Sequence, residues 1–287
     1  MKKCAIIRNG FFSCDAMENQ IDSISEELRK LGVCTVVLNT SAVLTRIIEG
    51  NVKSEIGDYD FIVFLDKDAY ISHMLEKCGY NLVNSASAVE VCDDKMKTYI
   101  ALSGKGINLP DTIASPLNYA GKDDESYLDV EKLLGYPIVV KEVYGSMGKS
   151  VYLAKDREGL RLLSSRLKTR PHLYQKFVGN GGKDLRVIVI GKKAVGAIQR
   201  INDKDFRSNV ELGGKAIAVE LTEDVALLSE KVAEILGLDY CGVDILSDGE
   251  KLYVCEVNSN AFFKGFCDAT GINVAELYAK YLYKKFY

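Results

Sequence analysis

The first ninety residues alternate short apolar segments with segments of helical period, and this alternation constrains the fold more than any other feature. We predict strands at residues 4–8, 33–38, 61–65 and 80–83, and helices at residues 17–31 and 69–77. Gly32 stands where the C-cap of the first helix is expected. This strand–helix order predicts an α/β domain with a parallel sheet that helices cover on both faces.

The remaining residues mix strands and helices in a different order. The predicted helices are at 87–103, 130–134, 157–168, 222–236 and 274–283, and the predicted strands at 137–141, 151–154, 172–177, 185–190 and 194–200. Boundaries near Asp93 and Gly179 divide the chain into an N-terminal α/β domain (1–93), a middle unit (94–178) and a C-terminal unit (179–287).

A predicted hairpin near the C-terminus carries three oxygen-bearing side chains. Residues 242–246 and 253–258 alternate like strands, and 247–250 is typical of a turn. Antiparallel pairing brings Asp244 opposite Glu256 and Asn258, which lie two residues apart and therefore on one face. Two carboxylates and an amide favour Mg²⁺ over zinc, and such a metal usually accompanies a nucleoside triphosphate. An edge hairpin with solvated acids is the alternative.

Neither common phosphate-binding motif is present. Arg8-Asn9-Gly10-Phe11 follows the first strand where GxGxxG would mark a dinucleotide site. The sequence Gly148-Lys149-Ser150 ends like a P-loop, but Val143 occupies its first glycine position and a strand follows instead of a helix. A hairpin turn through Gly145, Ser146 and Gly148 could instead cover a triphosphate as a flap, with Lys141 ending the strand before it. A plain glycine hairpin is the alternative.

A second polar cluster lies in the segment 204–210. Arg207 offers a planar guanidinium for a phosphate or a carboxylate, and Asn209 could orient a hydrated metal. Arg200 ends the strand just before this cluster. Taken alone, the cluster is also compatible with a solvated loop.

Composition excludes several classes of protein. The chain of 287 residues is 47% hydrophobic and 27% charged with a net charge of −3, so neither nucleic acid nor a membrane surface is an expected partner. No apolar run reaches transmembrane length, and Met1-Lys2-Lys3 leads into a short strand instead of a signal peptide. The eight cysteines lack CxxC spacing, which predicts reduced thiols in a cytoplasmic protein.

Together these segments resemble the ATP-grasp superfamily, in particular carboxylate–amine ligases of the RimK type. The resemblance runs from Asp94 to about Ala275 and rests on the order and spacing of several motifs. They are Asp94-Lys95, Val139-Val140-Lys141, the 145–148 loop, Gln175, Asp184-Leu185-Arg186, residues 205–209, residues 242–246, Glu256-Val257-Asn258 and residues 270–273. The implied fold has an N-terminal Rossmann-like domain followed by two ATP-grasp subdomains that enclose the nucleotide.

The resemblance implies a role for each matching position. Arg207 and Arg200 would stabilise the transferred phosphoryl group, and Asp244, Glu256 and Asn258 would hold two Mg²⁺ ions, which Mn²⁺ can replace. The implied ATP-binding residues are Lys95, Lys141, Gly145, Ser146, Gly148, Gln175, Lys176, Phe177, Val178, Asp184, Arg207, Ser208 and Asn209.

The implied reaction is ATP-dependent amide formation between a carboxylate and an amine, through an acyl phosphate. The amine or carboxylate would belong to an amino acid, a peptide or a protein terminus. Lys176, Ser150 and Leu212 depart from the family's usual residues, and 259–265 replaces its Ser-Pro-Gly continuation. Phe262 and Phe263 are therefore either an apolar wall of the acceptor site or core residues.

Two other hypotheses are compatible with the same motifs. One is a regulatory protein that binds ATP without turnover, and the other is the same chemistry on a small-molecule or cofactor acceptor. Self-association into a homo-oligomer is also compatible with the sequence. For the ligase we expect Asp244→Asn or Glu256→Gln to abolish turnover with little change in melting temperature.

Overall fold

The computed structural model describes residues 2–122, 125–179, 181–209 and 213–287. Three sheets of four, four and five strands follow one another along the chain, and a separate two-stranded hairpin accompanies the first of them. Leu212, one of the departures noted above, lies outside the described residues.

The N-terminal sheet is parallel, as predicted, with the strand order β2-β1-β5-β6. Its elements are β1 (Lys3–Arg8), α1 (Asp15–Lys30), β2 (Cys34–Asn39), β5 (Phe61–Leu65), α2 (Ala69–Lys77) and β6 (Leu82–Val83). Helices cover both faces of this sheet, and alternate residues of β5 therefore enter different cores. Phe61 and Val63 pack with α1 on one face. Ile62 and Phe64 pack on the side of α2 on the other. The hairpin β3 (Thr45–Ile48) and β4 (Asn51–Ser54) was not predicted.

Two helices replace the single helix predicted over residues 87–103. They are α3 (Ala86–Asp93) and α4 (Lys95–Leu102). Asp94 interrupts the helix because its backbone is extended and its carboxylate caps α4, accepting the N–H groups of Met96 at 2.9 Å and Lys97 at 3.0 Å. This cap places Lys95 at the first position of α4.

The middle sheet is antiparallel, with the strand order β7-β10-β8-β9. Its elements are β7 (Thr112–Ala114), α5 (Tyr127–Leu134), β8 (Ile138–Glu142), β9 (Val151–Ala154), α6 (Arg157–Leu167) and β10 (His172–Lys176). A core cluster made only of residues from this sheet and its two helices lies between them. The glycine loop connects β8 to β9, as the flap hypothesis requires.

The C-terminal sheet has the order β13-β12-β11-β14-β15 and is antiparallel throughout. Its elements are β11 (Lys183–Ile190), β12 (Lys193–Ile201), β13 (Lys215–Val219), α7 (Glu223–Leu236), β14 (Tyr240–Ser247), β15 (Leu252–Asn258), α8 (Lys264–Thr270) and α9 (Val274–Phe286). Strand β13 and helix α8 were not predicted. Helix α8 has only seven residues, which are too few for a helical period to be recognised.

The N-terminal and C-terminal sheets share one hydrophobic core. Residues of α1, β1 and β5 pack with residues of β11, β12 and α9 in a single cluster. The loop after β15 adds polar contacts, because Asn260 Nδ2 donates to the Leu65 carbonyl at 3.0 Å and Asn84 Nδ2 donates to the Ser259 carbonyl at 2.8 Å. The carboxyl end of β5 is thereby held beside the end of β15. Helix α4 also packs against the C-terminal unit, through α7 and β15, so the boundary at residue 93 stays a prediction.

None of the helices in the described part of the chain is long and apolar enough to cross a membrane.

Candidate active site

A row of charged side chains crosses the C-terminal sheet. Register pairs Asp184 with Arg200, Arg186 with Asp244, and Asp244 with Glu256. Directly paired residues in antiparallel strands point to the same face, so the row spans β12, β11, β14 and β15. The hairpin thus places Asp244 opposite Glu256, as its alternation predicted.

Within this row, Asp244 is held by two arginines. Arg186 bonds it bidentately, with Nε–Oδ1 and Nη2–Oδ2 distances of 2.7 Å, and Arg200 Nη2 lies 2.8 Å from Oδ2. Arg200 also bonds Asp184, with Nε 2.7 Å from Oδ1. Burial alone would raise the pKa of Asp244, but the two guanidinium groups outweigh it and lower that pKa. The carboxylate therefore stays ionised in a site where only 2% of the residue is exposed.

The predicted metal ligands meet on one face of the sheet. Asn258 Nδ2 lies 3.5 Å from Asp244 Oδ2, and Glu256 Oε1 lies 3.4 Å from Lys95 Nζ. No three His, Cys, Asp or Glu side chains among the described residues form a metal-binding group, and the predicted ligand set contains two carboxylates and the Asn258 amide. A carboxylate offers about four acceptor positions, two on each oxygen, and among the described residues Asp244 Oδ1 accepts one bond, from Arg186, so one position on Oδ1 remains for a metal. This hard oxygen set fits a divalent cation such as Mg²⁺.

The two predicted nucleotide lysines are both buried at the cleft. Lys95 Nζ donates to the Gly145 carbonyl at 2.9 Å, and Lys141 Nζ lies 3.5 Å from Cys255 Sγ. Burial would lower the pKa of Lys141, but its electrostatic interactions with Cys255, Tyr99 and Glu256 outweigh burial and raise it. Lys141 is therefore a fixed positive charge within a largely dehydrated wall.

The glycine flap is tied to the polar loop on the opposite side of the cleft. Arg207 Nη1 donates to the Gly148 carbonyl at 2.8 Å, while its Nε and Nη2 bond the Asp205 carboxylate at 3.0 and 2.7 Å. The backbone of Gly145 has a φ of +135°, which L side chains rarely adopt, and a Cβ there would lie 2.9 Å from Ser150 Oγ. The flap is thus closed, and any residue other than glycine would be strained at this position.

The flap, the lysines and the charged row enclose a narrow cleft. Its free volume is about 90 Å³, below the roughly 300–1,000 Å³ of typical ligand pockets, so a nucleotide can enter only if the cleft opens. Gln175 Nε2 donates to Thr112 Oγ1 at 2.9 Å, whereas Lys176 is largely exposed and lies 3.6 Å from Asp111. The predicted residues that line the cleft are Lys95, Lys141, Gly148, Gln175, Lys176, Phe177, Val178, Asp184, Arg200, Arg207, Ser208, Asn209, Asp244 and Glu256.

A larger cavity of about 550 Å³ adjoins the cleft, and we call it the substrate cavity. Glu256 and Asn209 line both spaces. Gly145, Ser146 and Asn258, also predicted site residues, line the substrate cavity. Phe262 contributes to its wall, whereas Phe263 is packed in the core, so the core hypothesis holds for Phe263 and the acceptor-wall role of Phe262 stays a prediction.

The sequence analysis did not predict several other residues that line the substrate cavity, among them Arg186, Asn9 and Asp66. Arg186 could have been found, because it lies two residues after Asp184 on a predicted strand and therefore on the same face. Asn9 and Asp66 follow predicted parallel strands, but only the tertiary structure brings the N-terminal sheet to the C-terminal one.

Comparison with known proteins identifies the chain's relatives. A family model described as the RimK-like ATP-grasp domain matches residues 92–282. The chain is 38% identical over 221 residues to human N-acetylaspartylglutamate synthase A, covering 75% of this chain and 56% of that protein. It is 32% identical over 239 residues to the glutamate–LysW ligase ArgX of Sulfurisphaera tokodaii, covering 79% and 83%. The chain thus spans little more than half the length of the vertebrate relatives it matches.

Solved structures show the same fold at low sequence identity. A RimK domain ATP-grasp protein from Sphaerobacter thermophilus superimposes with a TM-score of 0.74 at 18% identity, covering 98% of this chain and 99% of that one. D-alanine–D-alanine ligase from Bacillus anthracis, complexed with ATP, gives 0.75 at 20% identity and covers 99% and 97%. The predicted mixed α/β architecture and the resemblance on which it rested are confirmed, and the chain belongs to the RimK-like ATP-grasp family.

Proposed function

We propose that this protein is an ATP- and Mg²⁺-dependent ligase that joins a carboxylate to an amine. The observation that carries the proposal is the arrangement of two spaces around Glu256 and Asn209. A cleft with two buried lysines meets a cavity of substrate size at the predicted metal ligands. A phosphoryl group bound in the cleft would therefore face a substrate bound in the cavity.

The proposed reaction has two steps. A carboxylate oxygen attacks the γ-phosphorus of ATP, the bond between that phosphorus and the β,γ-bridging oxygen breaks, and ADP leaves. The amine then attacks the acyl carbon of the acyl phosphate, inorganic phosphate leaves, and the nitrogen loses a proton to give the amide. Both steps depend on neutralising and aligning charged groups more than on a strong protein base.

The chain's own residues supply this neutralisation. Lys95 and Lys141 would bind the phosphates, and Arg207 would turn from the Gly148 carbonyl toward the transferred phosphoryl group. Arg200 would act from strand β12, where it forms ion pairs with Asp184 and Asp244. Asp244, Glu256 and Asn258 would hold two Mg²⁺ or Mn²⁺ ions, whose charge screens a bound triphosphate. Loss of one such charge-stabilising donor typically raises the barrier by roughly 3 kcal/mol.

The names of the relatives support an amino acid as the amine substrate. They include N-acetylaspartylglutamate synthase, β-citrylglutamate synthase and glutamate–LysW ligase. Glutamate is therefore the first amine to test. The segment 259–265 departs from the family's usual residues and borders the substrate cavity through 260–262, so the carboxylate substrate is tested separately from the amine.

The test is ADP release from ATP and Mg²⁺ with pools of amino acids and carboxylic acids, followed by mass spectrometry of the product. We expect ADP release that requires both a carboxylate and an amine. The product should have the summed mass of the two substrates minus one water. Binding of an ATP analogue without ADP release in any pool would contradict the proposal. This first test does not include variants of Arg186 or Asp66, because both residues line the substrate cavity.

A further inference from the structure

The N-terminal sheet ends at the substrate cavity with a pair of polar side chains. Strand β1 lies between β2 and β5, so the chain leaves β1 toward β2 on one side and later returns on the other. Such a switch in strand order opens a crevice at the carboxyl ends of the strands, where α/β proteins bind ligands. Arg8 pairs with Leu65 in this register, so the next residues, Asn9 and Asp66, lie side by side in the crevice.

Asp66 is a buried carboxylate without a cationic partner among the described residues. It is 7% exposed and accepts hydrogen bonds from Asn9 Nδ2, at 3.1 Å to Oδ2 and 3.3 Å to Oδ1, and from the Lys67 backbone N–H at 2.6 Å. The neighbouring lysine does not neutralise it, because Lys67 Nζ pairs with Asp93 at 2.7 Å. Burial of an unpaired charge is costly, so this carboxylate is suited to a positively charged ligand group.

The same cavity is also lined by positively charged side chains. Arg186 lines it with a side chain that is 16% exposed and bonds Asp244 through Nε and Nη2, and Lys149 of the flap lines it as well. Phe12 and Phe262 add apolar surface. A cavity lined by both a carboxylate and a guanidinium matches a zwitterion, which carries an ammonium group and a carboxylate.

We propose that Asp66, oriented by Asn9, binds the ammonium group of an amino-acid substrate whose carboxylate faces Arg186. This inference rests on the proposed ligase function, which requires an amine substrate, and it assigns the N-terminal domain a part in choosing that substrate. Asp66 and Asn9 are then specificity-determining residues, distinct from the residues that bind ATP.

The test is isothermal titration of protein saturated with Mg²⁺ and a non-hydrolysable ATP analogue. The probes are the twenty proteinogenic amino acids and, for each binder, the matching acid without the amino group, such as glutarate for glutamate. The wild type should bind at least one amino acid at least tenfold more tightly than its des-amino counterpart. In Asp66→Asn, the amino acid should bind about 10–100-fold more weakly, because a hydrogen bond to a charged group is lost, and the preference should disappear.

Asp68→Asn is the matched control. Asp68 lies two residues further on, is absent from the described lining of the cavity, and caps α2 by accepting the Ile71 N–H at 2.9 Å. Asparagine caps helices as well as aspartate does, so amino-acid binding should not change. Should Asp66→Asn fail to fold, Asn9→Ala tests the same site, with an expected loss of binding of about fivefold or more.

Unchanged amino-acid affinity in a folded Asp66→Asn variant would overturn the inference. So would a wild type that binds no amino acid, or one that prefers the des-amino acids. These results are distinguishable from failure of the ligase proposal, which would appear as absence of ATP-analogue binding or of ADP release with every carboxylate and amine.

Discussion

At the scale of single residues, the two carboxylates predicted to bind metal differ in their burial and in their charged neighbours. Asp244 is almost fully buried and bonds two guanidinium groups, whereas the side chain of Glu256 is 26% exposed and lies 3.4 Å from Lys95 Nζ. We therefore keep the expectation of nearly unchanged stability for Glu256→Gln and revise it for Asp244→Asn.

We expect Asp244→Asn and Glu256→Gln each to reduce ADP release by about 100-fold or more, since each removes a predicted metal ligand. Their stabilities should differ. Asp244→Asn should lower the free energy of unfolding by about 3 kcal/mol, because buried arginines lose their ionic partner, and Glu256→Gln by less than about 1 kcal/mol. Urea unfolding of both variants measures this difference, and equal stabilities would show that the arginine pairs contribute little.

At the scale of elements, the flap between β8 and β9 is the segment that we propose covers the bound nucleotide. Its closure depends on hydrogen bonds to backbone carbonyls: Lys95 to Gly145 and Arg207 to Gly148. Bonds to carbonyls can be exchanged for bonds to phosphate oxygens, so the same two side chains can bind the flap or a nucleotide. The turn itself requires the conformation that Gly145 provides.

We expect Gly145→Ala to weaken binding of an ATP analogue by about tenfold, because the methyl group would crowd Ser150 in a backbone conformation unfavourable to alanine. Gly265→Ala is the control: it lies in α8, where a Cβ meets nothing within 4 Å. Fluorescence or calorimetric titration of both variants measures the effect. Equal affinities would argue against a role of the flap in nucleotide binding.

At the scale of the whole molecule, the three sheets do not share one core. The N-terminal and C-terminal sheets pack together through α1 and α9, whereas the core between the middle sheet and its own helices is separate. A cleft too narrow for a nucleotide lies beside that separate core. Opening by movement of the middle unit would leave the large core intact.

We expect hydrogen exchange to slow in the flap (143–150) and in the 205–209 loop when an ATP analogue and Mg²⁺ bind, with little change in β5. AMP, which lacks the β- and γ-phosphates, should protect the flap much less. Hydrogen–deuterium exchange with mass spectrometry resolves these segments. Protection spread evenly over β5 and the flap would argue against movement of the middle unit alone.

Most local elements and the chemistry of most cleft residues could be predicted from the order of residues along the chain. Strand β5 and helix α2 carry clear periodicities, and the hairpin alternation alone placed Asp244 opposite Glu256. Spacing along the chain suffices there because strand pairing between neighbours is local. One helix was predicted across Asp94, because the helical pattern continues through this residue. The pattern does not reveal that Asp94 caps a second helix.

The surroundings of those residues could not be predicted in this way, because they depend on long-range packing. The tertiary structure paired Asp244 with Arg186 and Arg200, buried Phe263 while leaving Phe262 on the cavity wall, and brought Asn9 and Asp66 to the C-terminal sheet. These contacts join residues from segments far apart in the chain. Hydrophobic packing between α1, β5 and α9 sets those distances, and no local period encodes them.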